Sequence, residues 1–176
     1  TRLMTFTFLP LLGLSMAFQT IAGNNYGARA WQRSDHSLRL ALGLAVLYCL
    51  TVQSVFYFQR STIGLLFVDD MAIVNEINRI LPLATFLLFL FGPLMMIATW
   101  FQAIGDAGRA ALLGLSRTYL FALPLTFSLP FLFGEPGIWY GGIVAEVLVL
   151  LLTIVVLRRQ ARLQGHHWGL FRRQSA

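Results

Sequence analysis

Residues 138–157 read IWYGGIVAEVLVLLLTIVVL, twenty residues with Glu146 as their one charged side chain. A helix of that length rises about 30 Å, which is the thickness of the bilayer's hydrocarbon core. Four more blocks of this kind precede it, at about 3–22, 38–58, 80–104 and 110–133. The predicted fold is therefore all-α: a polytopic membrane bundle of about five transmembrane helices over residues 1–157, with a basic tail over 158–176. Composition agrees. Hydrophobic residues make up 57% of the chain and charged residues 11%, about half the charged share of an ordinary soluble domain. Mean hydropathy is +0.72.

The formal charge of +6 does not indicate nucleic acid, because it is spread over short segments between apolar blocks. All of the basic residues are arginine, so a Schiff-base lysine is excluded. Cys49 is the single cysteine, which rules out an internal disulfide. The chain opens on Thr1, close to an apolar block, and holds an odd number of spans, so it is expected to be part of a longer protein.

Arginine also predicts orientation. Arg29, Arg33, Arg39, Arg109, Arg117, Arg158, Arg159, Arg162, Arg172 and Arg173 fall on one side of the spans, and Arg2, Arg60 and Arg79 on the other. Arginine concentrates in cytoplasmic loops. The C-terminus is then cytoplasmic and the N-terminus external, in a multi-pass protein of a bacterial inner membrane. Trp31, Trp100, Trp139 and Trp168 fall near span ends, as interfacial aromatics do. The spans hold Pro10, Pro82, Pro93, Pro124 and Pro130. Gly92-Pro93 and Pro124 are the hinge candidates.

Glu146 is the sharpest chemical feature. It lies roughly 12 Å from either interface, where an ionised carboxylate is costly unless paired or hydrated. It is either a proton or cation acceptor in a cavity or a structural acid bonded to a neighbouring helix. Gly142 and Thr153 share its face. No basic residue is expected at its depth. Arg117 is expected to snorkel to the cytoplasmic interface, the alternatives being that it pairs with an acid or lines a vestibule, and it stands with Glu146, Gln19 and Gln102 as a transport candidate. Gln19, Gln53 and Gln102 are candidates for hydrogen bonds between helices, and Gln19 and Gln102 sit at matched span ends, in Phe18-Gln19 and Phe101-Gln102. The run Gly23-Asn24-Asn25-Tyr26-Gly27-Ala28 has turn chemistry. His36, His166 and His167 fall in loops or tail, and no metal site is expected. No nucleophile–base pair or phosphate loop is present, so no enzyme is expected.

The stretches Ala17-Phe18-Gln19-Thr20-Ile21-Ala22-Gly23-Asn24-Asn25-Tyr26-Gly27-Ala28 and Trp100-Phe101-Gln102-Ala103-Ile104-Gly105 carry a family resemblance. Leu115-Ser116-Arg117 with Pro124, and Gly134-Glu135-Pro136-Gly137-Ile138-Trp139 leading into Glu146, add to it. Together they resemble the multidrug and toxic compound extrusion family, over nearly the whole chain. The resemblance implies a twelve-helix, two-lobed antiporter, of which these would be the eighth to twelfth helices. It implies export of small cationic or amphiphilic substrates in exchange for H⁺ or Na⁺ by alternating access, with no cofactor. The implied partners are membrane lipid and the missing N-terminal lobe. Some members carry an acid midway along the tenth helix. Gly92-Pro93 stands there instead, which favours H⁺. The alternatives are a lipid-linked oligosaccharide flippase of the same broad group, which needs several inward arginines, and a non-transporting membrane scaffold.

Overall fold

A computed structural model describes residues 2–59, 85–134, 137–164 and 170. The described residues form five helical rods, one for each apolar block. Helix α1 is Arg2–Gly27, α2 is Trp31–Phe58, and α3 is Leu88–Ala103. The fourth rod is composite: α4 (Ala107–Leu115), a π-helical segment (Ser116–Ala122) and α5 (Leu123–Phe133). The last rod, α6, is Gly137–Gln164. No strand is present among the described residues. Among the described residues, three rods are long and apolar enough to cross a membrane: Trp31–Phe58, Ala107–Phe131 and Tyr140–Arg162. The protein is an all-α membrane bundle. The start of the third predicted span, residues 80–84 with Pro82, lies outside the described residues. So do Arg60, Asp69, Asp70, Glu76, Arg79, Glu135, His166, His167, Trp168, Arg172 and Arg173.

Helices α1, α2 and α3 pack as a trio, and the fourth rod packs with α6; α3 joins the two groups by touching α4 and α6. Small residues set the closest approach. Helix α2 buries Ala41, Ala45 and Cys49 on one stripe, and Gly92 of α3 lies against it. A Cβ at Gly92 would come within 2.7 Å of Cys49 Sγ and 2.9 Å of the Ala45 carbonyl. Small residues at such crossings let helix backbones approach closely in a membrane. Helix α3 runs through Pro93 without a break. Polar groups link the trio. Ser15 and Thr99 hydroxyls are 2.8 Å apart, and Tyr48 donates to the Thr7 carbonyl at 2.9 Å. Gln53 clamps the start of α3: its Oε1 accepts from Phe89 N–H and its amide donates to the Phe86 carbonyl, both at 3.1 Å. The interhelical role expected for Gln53 is thus observed.

The turn expected at 23–28 is displaced. Asn24, Asn25, Tyr26 and Gly27 form the last turn of α1, and the chain reverses at 28–30. Arg29 takes the left-handed conformation, with φ +55. Its N–H donates to the Tyr26 carbonyl at 3.0 Å, and Ala30 N–H donates to the Asn25 carbonyl at 2.9 Å. This is a Schellman closure, and it satisfies carbonyls that a bare helix end would leave open. The α3–α4 turn repeats it with Gly105 at φ +80: Gly105 bonds to Gln102 and Asp106 to Phe101. The Phe-Gln repeat therefore does not align with the turns. The second Phe-Gln stands beside its closure and the first lies three helical turns before its own. Asp106 then caps α4, accepting from Arg109 N–H at 3.2 Å and pairing with the Arg109 guanidinium.

Both turns lie at one end of the bundle. Tyr26 packs edge-on against Trp31 at 5.1 Å and against Trp100 at 6.3 Å, and Trp100 stacks over Phe18 at 6.4 Å. Trp100 is 4% exposed. It fills the space between turns instead of standing in an outward-facing belt, because Tyr26 and Phe18 enclose it from α1.

Candidate functional site

Pro124 supplies no N–H, so the Leu120 carbonyl loses the partner an α-helix would give it. The chain answers with a π-helical segment just before the proline. Leu123 N–H reaches back to the Thr118 carbonyl, five residues earlier. Such widened turns fit one residue more than the α register and occur often at functional sites. Arg117 lies in this segment.

Arg117 does not snorkel to the interface. Its Nη2 is 3.0 Å from Glu146 Oε2 on α6, and its guanidinium lies over the Phe91 ring of α3 at 3.9 Å from the centroid. The expectation that Glu146 has no basic neighbour is corrected with it. The side chains keep 20% and 17% of their surface exposed. Three elements thus converge: the π segment gives the cation, α6 the acid and α3 the aromatic face. An aromatic ring attracts a cation through its quadrupole, most strongly where water is scarce.

Beside the pair is a cavity of about 190 Å³. It is lined by Phe8 of α1, Leu87, Leu88 and Phe91, and Gly142, Ile143 and Glu146 of α6. Glu146 is the charged group of this lining, and Gly142 opens the wall beside it. Thr153, expected on the same face, is buried and donates to the Val149 carbonyl at 2.7 Å, so it supports α6 and not the cavity.

The other candidates lie elsewhere. Gln19 is eleven residues from Phe8 along α1, and Gln102 is eleven from Phe91 along α3, about 16 Å from the cavity in each case. Gln102 is exposed and Gln19 half-buried. Asn24, Asn25, Tyr26 and Gly27 belong to the turn cluster. Gly92 and Pro93 follow Phe91 directly in α3, and Pro124 shapes the segment that presents Arg117. Among the described residues no cluster of His, Cys, Asp and Glu could hold a metal. Sequence reasoning missed the role of Phe91, for which an aromatic in an apolar block gives no signal, and the π segment, for which Pro124 is the one hint.

The family model MatE matches residues 1–128. The chain belongs to the MatE family. A solved structure of the MATE multidrug transporter DinF-BH matches this fold with a TM-score of 0.84 at 28% identity. The match covers 92% of this chain and 36% of that one. Multidrug export protein MepA of Staphylococcus aureus is 24% identical over 156 residues, which is 89% of this chain and 34% of MepA. Protein DETOXIFICATION 13 of Arabidopsis thaliana is 26% identical over 147 residues, 82% of this chain and 30% of that protein. This MatE chain therefore spans about a third of the length of the curated relatives it matches.

Proposed function

We propose that this chain forms part of the second lobe of a transporter that exports organic cations or related amphiphiles in exchange for H⁺ or Na⁺ by alternating access. The observation that carries the reading is Glu146, on the wall of a cavity in a MatE bundle and paired behind it with Arg117. The pair is neutral overall, but its acid can change partners. A proton or an organic cation arriving at Glu146 competes with the Arg117 guanidinium for the carboxylate, and the Phe91 face suits a delocalised cation. The lining sets this one carboxylate among apolar side chains. A hard cation takes several oxygen ligands, so H⁺ fits this site better than Na⁺.

The arginine-rich end is assigned to the cytoplasm, which places the C-terminus inside and the N-terminus of this chain outside a bacterial inner membrane. In this arrangement α1 and α3 cross along with the three longer rods. The relatives' greater length fits a first lobe as the structural partner, since alternating access works by moving one repeat against the other. An oligosaccharide flippase would need several unpaired inward arginines, whereas Arg117 is neutralised by Glu146.

The test is efflux of a cationic dye by cells expressing the transporter that contains this chain. Glu146→Gln, at matched protein level, is expected to slow efflux severalfold and to flatten its pH dependence. Efflux and pH profile equal to the unsubstituted protein would remove Glu146 from transport.

A further inference from the structure

Helices α1 and α2 bound a cleft of about 500 Å³ beside their shared turn, and none of its lining residues belongs to the cavity at Glu146. Its walls are two stripes at helical spacing. Asn25, Ile21, Phe18 and Leu14 descend along α1, and Arg33, His36, Leu40 and Leu44 descend along α2. Both stripes change character in the same direction: polar and cationic at the turn, apolar below. Gln32 adds an amide donor at the polar end, while the Ser37 hydroxyl donates to the Ser34 carbonyl at 2.8 Å. Leu40 and Leu44 keep 56% and 43% of their surface exposed, so the apolar part is open and unfilled. From Arg33 to Leu44 the cleft runs eleven residues, about 16 Å. One leaflet of the hydrocarbon core is about 15 Å deep. The cleft is thus about one leaflet deep, and Arg33 and His36 at its rim precede the apolar block that starts near Leu38.

We propose that this cleft binds one anionic phospholipid of the leaflet on the arginine-rich side, its phosphate held by Arg33 and His36 and an acyl chain lying on Leu14, Phe18, Leu40 and Leu44. Charge complementarity selects this occupant. A protein helix would meet two basic side chains at the same rim, while a phosphate meets donors that suit it. Basic pockets between membrane helices on the cytoplasmic side are a known way to hold anionic headgroups. The inference stands apart from the transport reading, because it uses neither Glu146 nor Arg117.

The experiment uses the purified transporter that contains this chain, in detergent with phosphatidylglycerol or phosphatidylcholine, and counts retained lipids by native mass spectrometry. Phosphatidylglycerol should be retained in preference. Arg33→Ala should weaken that retention about fivefold, and adding His36→Ala, which removes a second polar group from the rim, should weaken it further. Arg158→Ala, on the far rod α6, should leave it unchanged. A second measurement keeps the unsubstituted rim: a photo-crosslinking amino acid in place of Leu40 should give adducts with the mass of a phospholipid. Equal retention of the two lipids would overturn the proposal. So would an equal loss with Arg158→Ala, or crosslinks from position 40 to protein, whether to the rest of the transporter or to a second copy.

Discussion

Removing one member of a partly buried ion pair leaves the other without its counter-charge, and that asymmetry governs how substitutions at Glu146 and Arg117 should behave. At full burial the loss is about 3–5 kcal/mol. Here the side chains remain 20% and 17% exposed, so about 1–3 kcal/mol is expected for Arg117→Met. Adding Glu146→Gln to it should restore most of the stability, because no charge is then stranded. Thermal unfolding of the four proteins in detergent checks this, and additive losses would mean that the two side chains act independently. Glu146 was legible in the sequence because an acid in the middle of an apolar run announces itself. Its partner was not. Whether Arg117 snorkels or turns inward depends on the rotation of its rod, and the π-helical segment resets that rotation after α4.

At the scale of elements, the α2–α3 crossing depends on Gly92. Gly92→Ala would drive a methyl into Cys49 Sγ and the Ala45 carbonyl, an overpacking that costs about 1–3 kcal/mol. Cys49→Ala should recover only part of the loss, because the carbonyl is backbone and cannot step aside. Gly13→Ala and Gly43→Ala meet nothing within 4 Å and should gain up to about 1 kcal/mol from helix propensity. Equal responses at the three glycines, read by the same unfolding assay, would refute a packing role for Gly92. The turns show where local reading fails. Gly23, Asn24, Asn25 and Gly27 each favour a break, yet α1 continues because the closure comes later, at Arg29. Packing of Tyr26 on Trp31 and Trp100 places it there, and that requires α3, which no local window contains. At Gly105 the favoured residue does take the left-handed position, and local chemistry and structure agree.

For the whole molecule, the five apolar blocks were legible because the bilayer sets both the length and the composition of anything that crosses it. The way the rods pair was not, because apolar side chains around a helix do not say which neighbour they meet. Orientation leads to a labelling prediction. Cys49 is 1% exposed and should stay unlabelled by an impermeant thiol reagent in intact cells. A cysteine placed by Gln32→Cys should be shielded until the membrane is opened, and one placed by Asp69→Cys should react at once. The reverse pattern would invert the proposed topology.

The widened turn at Ser116–Ala122 also has a meaning in the arithmetic of insertions and deletions. A loop closed over five residues stores one residue beyond the α register, so the fourth rod holds a spare position in its length. Deleting one residue between Thr118 and Leu123 would let the hydrogen-bond ladder close as ordinary α-helix, with little penalty to the backbone itself. The widened turn absorbs its extra residue locally, so α4 and α5 would keep nearly the facing they have now. The change would fall on Arg117, which stands in the widened turn itself: re-aimed with that turn, it would leave Glu146 without its partner while the rod survives the shortening.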